Sequence, residues 1–167
     1  MKERAYLTLV RPSLEYASSA WSPYTDSDVN RLEQVQKNAA RFVCRDYRLT
    51  TSTSQLVKTL GWDTLEDRRL LNQSTLLYKF HNNLIHCQPP DDLTPTKSTR
   101  SSRRHPQTYQ QLQANLLAFN YSYFPRTIRT WNLLPAEVVN AADLPSFKSA
   151  LAPAIRELKV PSHQRSL

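Results

Sequence analysis

The chain contains a single glycine, Gly61, against eleven prolines in 167 residues. Tight hairpin turns need backbone conformations with positive φ, which glycine adopts at the lowest cost. A chain with one glycine is therefore a poor candidate for a barrel or sandwich built from many hairpins. The same scarcity excludes the glycine-rich phosphate loops of P-loop and dinucleotide-binding proteins, which need several glycines close together.

Apolar residues instead recur at three- and four-residue steps, which is typical of amphipathic helices. The clearest helix begins at Thr25, Asp26 or Ser27, each of which can cap its first turn. Its stripe runs through Val29, Leu32, Val35, Gln36, Ala39, Phe42 and Val43.

Further helices are predicted on either side of this one. Residues 2–21 form a helix that Pro12 should kink, because proline lacks a backbone donor. A short helix over 55–60 should end at Gly61, where a left-handed cap is favoured. A longer helix over 64–85 follows, with a capping threonine and early acidic residues.

The fold class predicted for the whole chain is mainly α. An irregular helical bundle over residues 1–85 is followed by a flexible, Pro/Ser/Arg-rich linker over 86–106. A tail of short helices over 107–167 should then pack on the bundle. Within this tail, residues 107–120 permit either a helix or short extended pieces. Helix or turn starts are expected at Phe124-Pro125, Pro135 and Leu144-Pro145.

The net charge of +8 is concentrated near the C-terminus. Residues 1–48 hold eight Lys/Arg and six Asp/Glu (+2), and residues 49–96 hold four and five (−1). Residues 97–167 hold ten and three (+7). An excess of this kind favours a polyanionic partner, nucleic acid before an anionic membrane, although a merely soluble basic surface is the alternative.

The candidate nucleic-acid-binding residues are arginines. A guanidinium pairs with phosphate oxygens in a bidentate way, and neighbouring aromatic rings can stack on unpaired bases. Two of these arginines, Arg126 and Arg129, lie within a stretch of aromatic residues, namely Tyr121, Tyr123, Phe124 and Trp131. The full candidate set is Arg100, Arg103, Arg104, Arg126, Arg129, Arg41 and Arg45.

The three tryptophans are the largest candidate core residues. Each lies beside an apolar helix face, so Trp21, Trp62 and Trp131 are predicted to be mostly buried. Trp131 is the expected exception, because it neighbours Arg126 and Arg129.

No catalytic constellation stands out. Asp91 and Asp92 form an acidic pair, but they follow two prolines in a loop rather than a strand turn of a polymerase palm. Cys44 and Cys87 lack the spacing of a zinc or redox motif. The sequence therefore predicts a non-enzymatic protein without cofactor, metal or small-molecule substrate. No apolar run approaches membrane-spanning length, and the separated cysteines without a signal peptide favour an intracellular protein with reduced thiols.

Short blocks along most of the chain resemble a known family. Residues 9–18 read LVRPSLEYAS and residues 21–24 read WSPY. They look like the region just after the polymerase palm in jockey-type non-LTR (LINE-like) retrotransposon reverse transcriptases. Further blocks follow in the same order: LE at 32–33, VQ at 35–36, AARFV at 39–43, LGW at 60–62, Leu65, RR at 68–69, YK at 78–79, YFPRTI at 123–128, WN at 131–132, LP at 134–135 and FK at 147–148.

The resemblance implies a fragment of a larger polyprotein that carries an endonuclease and a polymerase palm with an aromatic-x-Asp-Asp motif. No position here matches those catalytic residues. The first helices would correspond to the thumb, which grips the primer–template duplex, and the tail would correspond to RNA-binding appendages. Asn83 stands where the family commonly has glycine. The implied location is the nucleus or a cytoplasmic ribonucleoprotein.

Three functional hypotheses follow. The leading one is a non-catalytic fragment that binds RNA or a primer–template without sequence preference. The second is a structural remnant whose apolar surface and arginines would meet the absent polymerase body. The third is an independent helical protein–protein interaction module, which would not need the basic excess near the C-terminus.

Overall fold

The structure is a computed structural model that describes residues 1–86, 93–96, 105–113 and 115–158. The chain is mainly helical, as predicted. It divides into two compact units, Met1–Arg69 and Leu70–Leu167. Among the described helices, none is both long and apolar enough to cross a membrane.

The first unit contains helices joined by short breaks. They are α1 (Lys2–Ala5), a π-helical turn (Tyr6–Val10), α2 (Arg11–Glu15), α3 (Ser18–Trp21), α4 (Asp26–Cys44), α5 (Thr53–Thr59) and the start of α6 (Leu65–His81). The predicted interruption near Pro12 is the π-helical turn, after which Pro12 lies in the first turn of α2. A proline is tolerated there because its missing N–H is not needed. A second break occurs at Ala17, whose φ is 49°.

A small core of the first unit joins the π-helical turn, α4, α5 and the residue that follows Gly61. Tyr6, Ala40, Val57 and Trp62 are buried together, and the rings of Tyr6 and Trp62 stack at 4.6 Å. The Tyr6 hydroxyl donates to Gln36 Oε1 at 3.0 Å, and burial raises the pKa of Tyr6 to about 12. Gln36 is thus a buried amide held by a core tyrosine.

The start of α6 is held by side chains from two directions. The Asp67 N–H donates to Thr64 Oγ1 at 3.0 Å, which is the predicted cap. The Glu66 N–H donates to Glu33 Oε1 at 2.9 Å, so a carboxylate of α4 lies at the positive end of α6. Burial raises the pKa of Glu33, against the lowering effect of the hydrogen bond from Glu66.

Helices α4, α5 and α6 end in left-handed residues, namely Arg45 (φ 54°), Gly61 (φ 68°) and Asn83 (φ 52°). At the end of α6 the Leu84 N–H donates to the Lys79 carbonyl at 2.8 Å, as in a Schellman motif. The cap at Gly61 was predicted from the sequence. Asn83 adopts the left-handed conformation that glycine takes at the lowest cost and that asparagine tolerates better than most residues.

The second unit contains the rest of α6 and the remaining helices. They are α7 (Leu117–Asn120), α8 (Tyr123–Leu133), α9 (Ala136–Val139) and α10 (Leu144–Glu157). Helix α6 ends at His81, four residues before the predicted end at 85. The starts of α8, α9 and α10 lie within one residue of the predicted positions.

The core of the second unit surrounds Trp131. This side chain is 0% exposed and lies among residues of α6, α8 and α10. The ring of Tyr78 stacks on Phe147 at 4.1 Å, and its hydroxyl donates to the Ala141 carbonyl at 2.8 Å. The division between the units falls inside α6, because the later turns of that helix pack in this core.

Residues 93–96 and 107–110 lie against each other as short extended pieces. Pro95 and Tyr109 form an isolated antiparallel bridge. The Thr96 N–H donates to the Thr108 carbonyl and the Gln110 N–H donates to the Thr94 carbonyl, both at 2.9 Å. The predicted three-part division at 85 and 106 stays a prediction, since most of its linker lies outside the described residues.

The prediction that Trp21 is mostly buried was wrong, and so was the expectation that Trp131 is the exposed exception. Trp62 and Trp131 are 8% and 0% exposed, whereas Trp21 is 42% exposed. Trp21 ends the short helix α3, which directly follows the left-handed Ala17, and its indole N–H donates to the Tyr16 carbonyl at 2.6 Å. Trp131 is buried because it lies with Ile128 on the apolar face of α8, and that face packs in the core.

Candidate nucleic-acid interface

A surface groove of about 550 Å³ lies in the second unit beside α7 and α8. Its lining combines four side-chain amides, one aromatic ring, one leucine and one guanidinium. No carboxylate occurs in that described lining, so the groove is neutral to positive in character. The lining residues are Gln111, Leu112, Gln113, Asn115, Asn120, Tyr121 and Arg129.

Arg129 is oriented at the wall of the groove by two backbone carbonyls. Its Nε donates to the Pro125 carbonyl at 3.2 Å, and its Nη2 donates to the Asn120 carbonyl. The guanidinium lies 6.0 Å from the centre of the Tyr121 ring. A guanidinium has five N–H donors, so these two bonds leave three on an exposed group. Arg129 is therefore both fixed in position and able to meet a phosphate.

The amide side chains supply both donors and acceptors. Gln111 is fixed, because its Nε2 donates to the Pro125 carbonyl at 3.1 Å. Gln113 and Asn115 are exposed beside it. Such amides can match the donor and acceptor groups on the edges of bases that are not paired.

Only one ring of the predicted aromatic cluster lies in the groove. Tyr121 is half-buried in the lining. The Tyr123 hydroxyl donates to the Gln73 carbonyl at 2.9 Å, and burial raises the pKa of Tyr123 well above its usual value. Phe124 packs against the core and Trp131 is fully buried. Trp131 therefore has no exposed face on which a base could stack, whereas stacking by Tyr123 and Phe124, which are half-buried, stays a prediction.

The other predicted arginines are placed differently. Arg126 is half-buried and does not line the groove. Arg41 belongs to the first unit, where its Nη1 and Nη2 donate to the carbonyls of Arg48 (3.1 Å) and Thr51 (3.4 Å). This side chain fixes the loop after α4. Arg45 is exposed at the end of α4.

Some cations of α4 and of the loop after it are paired with carboxylates, and others are not. Arg48 Nη2 lies 2.7 Å from Asp46 Oδ2, and the hydrogen bonds from Arg48 hold the pKa of Asp46 well below its usual range. Arg31 is 3.7 Å from Asp28. Arg45, which directly follows α4, is exposed and forms no ion pair with the described residues, so it is open to an anion.

Several predicted residues lie outside the described part of the chain. They are Arg100, Arg103 and Arg104, together with the acidic pair Asp91-Asp92 and Cys87. Within the described residues, no group of three or more His, Cys, Asp or Glu side chains could hold a metal ion.

The amides of the groove were not predicted as functional residues. The sequence shows that residues 107–120 are polar and rich in glutamine, which is the signal that could have pointed to them. Their periodicity is weak, however, and it did not indicate which side chains converge. No protein-family model, curated protein or solved structure matches the chain.

Proposed function

We propose that the protein is a non-catalytic nucleic-acid-binding module that takes RNA or DNA largely without sequence preference. The observation that supports this best is the groove beside α7 and α8. It combines the oriented Arg129, the ring of Tyr121 and several amides without a carboxylate in its described lining. The resemblance to the segment after the palm of retrotransposon reverse transcriptases suggests the origin of such a module.

The distribution of charge supports the same proposal. Residues 97–167 carry a net charge of +7, and three of their arginines, at 100, 103 and 104, precede the groove residues by about ten positions in the sequence. Cations that neutralise phosphates release condensed counterions, which provides most of non-specific affinity. Binding would then combine this electrostatic contribution with contacts in the groove.

The direct test uses fluorescence anisotropy with a short labelled single-stranded RNA. We expect wild-type affinity on the order of micromolar at low salt. Replacing Arg100, Arg103 and Arg104 by alanine should weaken binding about 100-fold at about 0.1 M salt if each meets one phosphate. On a single strand, each phosphate contact changes the logarithm of the binding constant by roughly 0.7 for each tenfold change in salt concentration. Three contacts, counted over the one decade between about 0.1 M and about 1 M salt, therefore contribute about two logarithmic units, or about 100-fold.

Lys148 provides a matched control. It is exposed on α10 and outside the groove lining, so Lys148→Ala removes one positive charge from the same unit. Affinity should change less than about twofold in Lys148→Ala, and about fivefold in Arg129→Ala, which loses one phosphate contact. Undetectable binding at low salt, or equal losses in both single variants, would refute the proposal.

Exposed apolar side chains favour a second candidate, which is a protein-binding surface on the first unit. Leu9 is 71% exposed, Tyr16 is 80% exposed and Trp21 is 42% exposed. An exposed apolar patch is typical of a protein-binding site, and these three side chains lie within 13 consecutive residues of the sequence. A chain that binds no nucleic acid but associates with a polymerase body through these residues would support this candidate instead.

A further inference from the structure

His81 lies at the end of α6 and is bonded through both ring nitrogens to one short segment. Its Nδ1 is 2.6 Å from the Tyr109 hydroxyl, and its Nε2 is 3.1 Å from Gln107 Oε1. The ring centre is 5.3 Å from that of Trp131. The histidine therefore joins the end of a core helix to residues 107–109.

These partners define the protonation state that fits the site. An amide oxygen can only accept, so Nε2 must carry the proton that is donated to Gln107. Nδ1 is then the acceptor for the Tyr109 O–H. A neutral ring satisfies both contacts and leaves no polar hydrogen unpaired. In a protonated ring Nδ1–H donates to the Tyr109 oxygen instead, so the buried Tyr109 O–H must turn away and loses its acceptor.

The same segment is held by several other contacts. The Asn132 side chain accepts from the Tyr109 N–H at 2.9 Å and donates to the Tyr109 carbonyl at 2.8 Å. The Trp131 indole N–H donates to the Gln107 carbonyl at 2.9 Å. His105, which is 2% exposed, contacts the Trp131 carbonyl through Nε2 at 3.0 Å.

The surroundings of His81 disfavour a positive charge. Burial lowers the pKa of His81, the hydrogen bond to Gln107 partly opposes this, and the nearby His105 lowers it further. From residues 105–110 the titratable groups near His81 are Tyr109 and His105, and α8 presents the uncharged Trp131. Among the described residues, no carboxylate contributes to the charge around this ring.

We propose that His81 is a pH-sensitive latch, which holds residues 107–110 against α6 and α8 when neutral and releases them when protonated. Residues 111–113, which line the groove, follow this segment directly. Release would therefore remove one wall of the groove and weaken nucleic-acid binding in acid. That consequence rests on the proposed function, whereas the latch itself does not.

Hydrogen–deuterium exchange tests the latch without any nucleic acid. The amides of Thr96, Tyr109 and Gln110 report on the segment, because each donates to a defined acceptor across it. Their protection factors, corrected for intrinsic exchange, should fall by up to about tenfold for each pH unit below about 6.5. The limit of tenfold arises because release takes up one proton. Peptides from α10 should show no such dependence.

The chain offers a matched control in His86, which is exposed. In His81→Gln the protection of residues 107–110 should become independent of pH, whereas His86→Gln should retain the wild-type response. If residues 107–110 of His81→Gln are already unprotected at neutral pH, that variant gives no pH response to compare. The test then rests on the wild-type chain alone. The loss of protection must then share its midpoint with the NMR titration of the His81 ring.

Unchanged protection between pH 7.5 and 5.5, or a midpoint that follows His86, would overturn the latch. A second arm measures RNA affinity over the same range. Added positive charge alone would tighten binding in acid, whereas the latch weakens it in the wild type and not in His81→Gln. A working latch in a chain that binds no RNA would refute only the proposed function.

Discussion

Trp131 is the side chain whose removal should destabilise the protein most. It is 0% exposed, and its indole N–H donates to the Gln107 carbonyl at 2.9 Å. Truncating a buried tryptophan to alanine costs about 3–5 kcal/mol through lost apolar burial and the cavity that remains. The orphaned carbonyl adds about 1 kcal/mol. The free energy of unfolding should therefore fall by about 4–6 kcal/mol in Trp131→Ala, which is a large part of the ~5–15 kcal/mol of an ordinary domain.

Urea unfolding followed by circular dichroism measures this loss. With a slope of about 2 kcal/mol per molar urea, the midpoint should fall by about 2–3 M, or the variant should be unfolded without urea. Trp131→Phe keeps most of the ring and should lose only about 1–2 kcal/mol. Trp21→Ala is the control, and its loss should be about 1 kcal/mol, because Trp21 is 42% exposed and makes one local hydrogen bond. Equal losses in Trp131→Ala and Trp21→Ala would refute the assignment of Trp131 to the core.

The remaining predictions concern helix ends and a buried charge. Asn83→Gly should raise the free energy of unfolding by about 0.5 kcal/mol and Arg45→Gly by about 1 kcal/mol, because asparagine tolerates the left-handed conformation better than arginine. Thermal unfolding checks this, and a lower midpoint in both variants would contradict the left-handed caps. Arg69 is 2% exposed, and its Nη1 and Nη2 have no hydrogen-bond partner among the described residues. Burial lowers the pKa of Arg69, so Arg69→Met should leave stability unchanged or higher. A loss above about 2 kcal/mol would show that its attraction to Glu33 outweighs the cost of burial.

The parts of the fold that the sequence predicted are those fixed by local chemistry. The amphipathic stripe and the three cap candidates at 25–27 located α4, and the structure shows that Thr25 is the cap. The single glycine located the end of α5. In each case a nearby side chain or a conformational preference determines the boundary. Pro12 predicted an interruption there but not its form, which is a π-helical turn ahead of the proline. The break at Ala17 left no signal, because alanine has no preference for the left-handed conformation that it adopts.

The groove was harder to predict, because it depends on contacts between distant residues. Arg129 was identified from its charge, but its orientation depends on carbonyls at positions 120 and 125. Trp131 has arginines close by in the sequence, yet the face of α8 determines its burial. Charge and residue type therefore indicated candidates, and only the tertiary structure showed which of them share a surface.

The salt dependence of RNA binding tests the central claim most directly. The logarithm of Kd should rise with the logarithm of salt concentration with a slope of roughly 3, as expected for about four phosphate contacts on a single strand. Those contacts are assigned to Arg100, Arg103, Arg104 and Arg129. Alanine at the first three positions should reduce the slope to about 0.7. A slope near zero in the wild type, or one that the substitutions leave unchanged, would contradict a nucleic-acid-binding function.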